Sequence, residues 1–341
     1  MSLGVAIVGS GIFAREEHLP AVQAAKDFTL KAIYSRSLKS AQNLAGDKSS
    51  VDLYSEDSGS GKTYDDLLAR DDIQAVIIAL PIPIQPEFVR KALSAGKHVL
   101  SEKPISQDIA AAQELIKWYE SNIDTSKVFW GVAENYRYMK QYVYAAEQIR
   151  KLGRVKNFRV NMHTKVQPDS KYYLTEWRKA PSHQGGFLLD GGVHFIAGLR
   201  LFLGPEDPIT TLSAQTRLLQ EHLAPVDTVD AVLKTKSGAT GVFSVSFGSD
   251  FKDTAYEIAC DGGVVTLTFD GVTVNGLKQD VGYDGRGVKD EVADFAASIA
   301  KGGSLDRRQT PNEALADLEI LEKFLKSGEK DGEKVNLTLQ G

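Results

Sequence analysis

Residues 3–9 (Leu-Gly-Val-Ala-Ile-Val-Gly) form an apolar run with no alternating polar positions. A run this short and this uniform reads as a strand buried on both faces, the condition of a strand inside a parallel sheet. A helix-like segment follows at about 12–25, and the alternation then repeats. Strand-like runs lie at 29–34, 75–80, 98–100 and 128–131, and helix-like runs near 37–44, 64–70, 85–95 and 107–120. Strands alternating with helices require right-handed parallel crossovers. The spacing therefore predicts an α/β fold whose N-terminal part, residues 1–131, is a Rossmann domain with a doubly wound parallel sheet.

Beyond residue 131 the pattern changes. A helix at 139–152 leads into a strand at 155–165 and an apolar helix at 188–203. Successive strands follow at 209–218, 228–236, 240–247, 255–260 and 264–269, then helices at 288–300 and 311–327. Strands in series, separated by Gly, Asp and Ser turns, predict a C-terminal α+β domain over 132–341 with a large, mostly antiparallel open sheet. The length of 341 residues gives each domain its own core. A net charge of −5 with no basic block argues against nucleic acid as a partner. The single cysteine, Cys260, excludes an internal disulfide and a cysteine-cluster metal site, and its strand-like surroundings predict burial. The six histidines lack paired ligand spacing, so no metal is expected. No stretch approaches the roughly 20 apolar residues of a membrane helix. The chain enters a strand within a few residues, which leaves no room for a leader, and a cytoplasmic protein is expected.

Gly9-Ser10-Gly11-Ile12-Phe13-Ala14 follows the first strand and opens the first helix, matching G-x-G-x-x-G/A. Gly9 permits the tight turn, Gly11 lets backbone approach a pyrophosphate, and Ala14 permits close helix–strand packing. The helix start offers N–H groups and a positive dipole end to the phosphates. After the second strand an NAD site usually carries an acid for the ribose hydroxyls. This chain has Ser35-Arg36-Ser37 instead, with Lys39 nearby. A guanidinium pairs with a 2′-phosphate in a two-pronged way, so NADP(H) is expected over NAD(H), with Arg36 and the Ser35 or Ser37 hydroxyl as clamp. A solvated loop arginine is the competing reading. Gly59-Ser60-Gly61-Lys62-Thr63 resembles the end of a P-loop, but Glu56 stands where its first glycine belongs, so it reads as a loop.

Glu102-Lys103-Pro104 follows a strand, at the end where doubly wound sheets bind ligands. Lys103 there can hydrogen-bond a reacting oxygen and stabilise negative charge, although an exposed structural lysine has the same spacing. In Gly185-Gly186-Phe187-Leu188-Leu189-Asp190-Gly191-Gly192-Val193-His194, Asp190 and His194 are four apart and share a face of a helix. A carboxylate beside an imidazole suits acid–base work near neutral pH, while a capping aspartate and a packed histidine fit the same spacing.

With these pieces in this order over about 300 residues, the chain resembles the Gfo/Idh/MocA oxidoreductases. Glu102-Lys103-Pro104 looks like the family's EKP signature, Ala92 to Val99 like its lead-in, and Gly185 to His194 like its second signature. Residues 13–20 and 133–136 resemble a fungal NADP-dependent branch. The resemblance implies hydride transfer between nicotinamide C4 and a small sugar, polyol or related polar substrate. It makes Lys103 and His194 catalytic and Asp190 their motif aspartate, all three facing substrate, with the C-terminal domain closing over the nicotinamide. It adds Glu102, Lys103, Leu80, Pro81, Asn135, Trp177 and Arg178 to the cofactor contacts, and Tyr136 and Tyr172 to the substrate contacts, although both tyrosines fit a loop surface equally well. Pro83 and Gln85 follow Leu80-Pro81 where relatives have a Thr-Pro-Asn-like turn and a later histidine, which puts the contact at 80–81 in question. Trp177 fits core packing equally well. The resemblance implies a homodimer or homotetramer formed through the open sheet. A non-catalytic dinucleotide sensor and a reductase of a bulky apolar substrate are the alternatives. The sensor would have no chemical need of Lys103, Asp190 and His194 together.

Overall fold

The structure, a computed structural model describing residues 2–341, turns the N-terminal alternation into six strands: β1 (Leu3–Val8), β2 (Phe28–Ser35), β3 (Asp52–Ser55), β4 (Ala75–Ile78), β5 (His98–Glu102) and β6 (Trp130–Ala133). They form one sheet in the order β3-β2-β1-β4-β5-β6, with every pair parallel. Val5 to Val8 are wholly buried because β1 has a strand on each edge and cover on both faces, which is why the run carries no polar alternation. The strand order reverses at β1, so the ends of β1 and β4 lie side by side; the Ala79 N–H donates to the Val8 carbonyl at 2.8 Å. Open α/β sheets bind their ligands at this reversal.

Helices α1 (Leu19–Ala24), α2 (Leu38–Ala45), α3 (Tyr64–Leu68), α4 (Gln85–Ser94) and α5 (Ile109–Asn122) connect the strands. Side chains of Ser37, Thr63 and Asp108 cap α2, α3 and α5. The single helix expected at 12–25 is not regular: Ala14–His18 is a π turn, and α1 begins only at Leu19. Pro20 explains this, since it has no N–H to donate and its ring crowds the carbonyl four residues back. The short edge strand β3 escaped the sequence pattern because four residues with one neighbour show no apolar run.

The second sheet contains β7 (Val155–His163), β8 (Ile209–Arg217), β9 (Thr228–Thr235), β10 (Thr240–Ser246), β11 (Thr254–Cys260), β12 (Gly263–Thr268), β13 (Gly271–Val274), β14 (Leu277–Lys278) and β15 (Val335–Asn336). Its order is β14-β13-β12-β11-β7-β10-β9-β8-β15, antiparallel throughout except β10 beside β7. In β9, residues 230, 232 and 234 are exposed and their neighbours buried, the mark of a sheet covered on one face. The covered face meets α6 (Lys140–Lys151) and α8 (Gly186–Leu203), and the short α7 (Glu176–Lys179) precedes α8. Tyr142, Phe202 and Tyr256 pack ring on ring there. Helix α8 is 18 residues with a mean hydropathy of 1.4, long and apolar enough to cross a membrane, but 67% of it is buried in this core.

The division into domains differs from a simple cut after 131. One unit runs to Glu134 and also takes Val288–Ala314; the other is Asn135–Gly287 with Leu315–Gly341. The cause is α9 (Val288–Lys301), whose Val288, Val292, Phe295, Ala296 and Ile299 join Val5, Ile7 and Ala14 in the first unit's core. Helix α10 (Pro311–Gly328) then returns the chain to the second sheet, where Phe324 stacks on Phe243 at 5.2 Å.

Candidate active site

In the first unit, Gly9 has φ +110°, and a Cβ there would lie 2.2 Å from the Ala79 carbonyl, so only glycine fits the turn. Leu80 borders the same turn, 3.3 Å from that Cβ position, and Pro81 follows it. Gly11 is different: a Cβ there meets no protein atom within 4 Å. The protein itself does not require that glycine, and the open room before it suits backbone contact with a pyrophosphate. Ile12 and Phe13 are half-buried in the same loop, and Ala14 is buried in the core.

The Ser10 and Ser35 hydroxyls lie 2.6 Å apart and tie this loop to the end of β2. The Ser37 hydroxyl, expected to help clamp a phosphate, caps α2 instead: it accepts from Ser40 N at 3.2 Å and donates to Ser40 Oγ at 2.8 Å. Arg36 is exposed and has no ion-pair partner among the described residues. Asp57 brings an acid to this corner that the sequence pattern did not reveal. Its Oδ1 accepts from Leu38 N at 2.7 Å and from Ser55 Oγ at 2.6 Å. These bonds, Ser55 first, hold its carboxyl below the usual range.

Lys103 stands half-buried just past β5. Its predecessor Glu102 is held twice: its carboxylate lies 2.7 Å from His18 Nε2, and its carbonyl accepts from Gln85 Nε2 at 2.6 Å. Neither His18 nor Gln85 was legible as a site residue, because their partners lie 84 and 17 residues away.

In the second unit, the helix predicted to carry the second signature is α8. Gly186 starts it at φ +47°, and a Cβ at Gly191 would lie 2.6 Å from the Phe247 ring, so this glycine-rich sequence is a packing requirement. Asp190 is buried and accepts from Arg178 Nε at 2.7 Å. The Arg178 guanidinium lies 4.0 Å over the Trp177 ring and 5.6 Å from Tyr172. Arg178, expected at the cofactor, thus holds Asp190, with the Trp177 ring beneath its guanidinium. Arg286 donates to the Tyr172 hydroxyl at 3.3 Å, and Asn135 Nδ2 donates to the Arg286 carbonyl at 2.8 Å. One turn beyond Asp190, the His194 ring stacks on Tyr136, 4.6 Å apart and 13° from parallel. His183, which sequence reasoning passed over, is buried 6.4 Å from Trp177, and burial holds its imidazole below the usual range. Asp317 binds Arg137 at 2.5 Å in a fully buried contact and Arg200 at 2.8 Å in a part-buried one. This triad fixes the turn carrying Tyr136 against α8. Among the described residues no group of three His, Cys, Asp or Glu side chains forms a metal-binding cluster.

Residues 3–128 match the family described as an oxidoreductase family with an NAD-binding Rossmann fold, and residues 141–266 match the GFO/IDH/MocA C-terminal domain. The chain is 44% identical to dehydrogenase FPY6 of Fusarium mangiferae, covering 97% of each. It is 30% identical to a D-xylose 1-dehydrogenase (NADP(+)) of Haloferax volcanii, over 77% of this chain and 83% of that one. A crystal structure of an oxidoreductase from Thermotoga maritima superposes with a TM-score of 0.87 at 30% identity, covering 98% of both chains.

Proposed function

The chain belongs to the Gfo/Idh/MocA oxidoreductase family, and on that premise we propose that it moves a hydride between NADP(H) and a small sugar, polyol or related carbonyl compound. The bound dinucleotide supplies the hydride donor or acceptor at nicotinamide C4. Gly9, Ser10, Gly11, Ile12 and Phe13 hold its pyrophosphate, and Leu80, Pro81 and Glu102 border it. The observation that narrows the cofactor is Arg36, an exposed guanidinium with no hydrogen-bond or ion-pair partner among the described residues, at the end of β2, where Ser35-Arg36-Ser37 stands in place of the usual terminal acid. The relative with NADP(+) in its name supports the same choice, and its D-xylose supports a sugar-like substrate.

In the oxidative direction the substrate carbon loses a hydride while its hydroxyl proton passes to His194, leaving a carbonyl. Lys103, at the end of β5, is the proposed hydrogen-bond donor that stabilises negative charge on a reacting oxygen. Tyr136 fixes the plane of the His194 ring, and Arg178 keeps Asp190 oriented one turn earlier. Tyr172 and Asp190 are the proposed contacts to substrate hydroxyls, and Asn135 and Trp177 the proposed nicotinamide contacts of the second unit. The exposed face of the second sheet, with Val232 (57% exposed) paired across strands to Val242 (42%), is the proposed homodimer or homotetramer surface, which light scattering would test.

The experiment is a turnover screen with NADP⁺ and NADPH over sugars, polyols and small aldehydes, with Lys103→Ala and His194→Ala alongside. Loss of a positioned acid–base group lowers turnover by about 10²–10⁴-fold. If both variants keep the wild-type rate, the assignment is wrong.

A further inference from the structure

His18 closes the π turn behind the phosphate loop and is wholly buried. Its Nε2 lies 2.7 Å from Glu102 Oε1, while its Nδ1 is buried with no hydrogen-bond partner among the described residues. Together these fix the proton: Nε2–H donates to the carboxylate and Nδ1 is a bare lone pair, because a buried N–H without an acceptor is the costly alternative. On its other side the ring meets Phe13 of the phosphate loop edge-on, at 5.3 Å and 79°. Gln85 holds the Glu102 carbonyl from a third direction. The residue immediately before Lys103 is therefore fixed through side chain and backbone by groups that contact nothing expected of substrate.

We propose that His18 is a positioning residue that sets the Glu102–Lys103 turn and links it to the phosphate loop. The proposal rests on the reading of Lys103 as catalytic. A neutral imidazole suits the task where lysine or arginine would not, since it orients the Glu102 carboxylate without adding a positive charge beside the Lys103 ammonium. The π turn supports it too. Such turns concentrate at functional sites, and this one places His18 directly after the loop while Pro20 blocks a regular helix.

The test begins with ¹⁵N NMR of the full chain labelled at histidine, the position-18 signals being assigned by their loss in His18→Gln. The expected pattern is a protonated Nε2 and a bare Nδ1. An imidazolium or an Nδ1–H tautomer overturns the proposal. Lys103 is then followed by ¹³C NMR after reductive methylation, its signal assigned by loss in Lys103→Arg. His18→Leu is expected to displace that signal, and His18→Gln, whose amide N–H reaches from the Nε2 position, to restore it. An unmoved Lys103 in His18→Leu overturns the proposal. If His18→Leu does not fold, Glu102→Ala takes its place with the same two outcomes. With a substrate in hand, His18→Leu should lower kcat about 10–100-fold and leave NADPH affinity within about threefold. If Lys103→Ala retains the wild-type rate, the catalytic reading fails, while the Lys103 signal still decides whether His18 governs that turn.

Discussion

Replacing Arg36 by alanine tests the cofactor assignment at its narrowest point. Arg36 is exposed and makes no hydrogen bond or ion pair among the described residues, so Arg36→Ala removes no polar contact that the fold uses, and its thermal midpoint should match wild type. Nearby hydroxyls offer limited compensation: Ser37 is occupied in capping α2, and Ser35 is paired with Ser10. A two-pronged guanidinium–phosphate contact contributes about 1.5–3 kcal/mol net. Exposure and salt of about 0.15 M bring it to the lower end, about 1.5–2 kcal/mol. That corresponds to roughly a 10–30-fold rise in the Kd of NADPH, with the Kd of NADH within about twofold because NADH has no 2′-phosphate. Asp57 enters with the opposite sign. Hydrogen bonds from Ser55 and Leu38 keep its carboxylate ionised at the start of α2, so Asp57→Asn should tighten NADPH binding. The assay is titration calorimetry of both cofactors at low and high salt. If Arg36→Ala weakens NADPH and NADH equally, or neither, Arg36 is a solvated loop residue and the NADP(H) preference fails.

The two loop glycines should separate structure from binding. Gly9→Ala, with its Cβ 2.2 Å from the Ala79 carbonyl, should lower thermal stability. Gly11→Ala, with open space around it, should melt like wild type and still lose at least about tenfold in NADPH affinity. Asp317→Ala leaves the buried Arg137 guanidinium and the half-buried Arg200 guanidinium without their carboxylate and should cost about 3–5 kcal/mol, seen as a drop in the melting transition of the second unit. Burial holds His98 down to about 4 from an ordinary 6.5, with its Nδ1 accepting from Phe129 N at 3.0 Å. The unfolded chain then binds more protons than the folded one between these values. Stability should be full above pH 6.5 and decline as pH falls toward 4. His98→Gln should flatten that slope in an acid titration followed by circular dichroism.

Some of this protein was determined by local sequence alone. The unbroken apolar run of β1 required a strand covered on both faces, and the alternation in β9 required one face open to water. The Gly9 turn, the acid-free end of β2 and the i, i+4 spacing of Asp190 and His194 are properties of neighbouring residues, so they could be read without coordinates. Tertiary structure decided what depends on distant partners. Helix α9 shows an ordinary amphipathic pattern, but only packing reveals that it completes the first unit's core rather than the second's. Arg178 holds Asp190, Arg137 meets Asp317 across 180 residues, and Asp57 reaches back to Leu38 N. The physical reason is common to all three. Backbone periodicity is set by hydrogen bonds and burial within a few residues, whereas a polar side chain takes whichever partner the fold brings within about 3 Å.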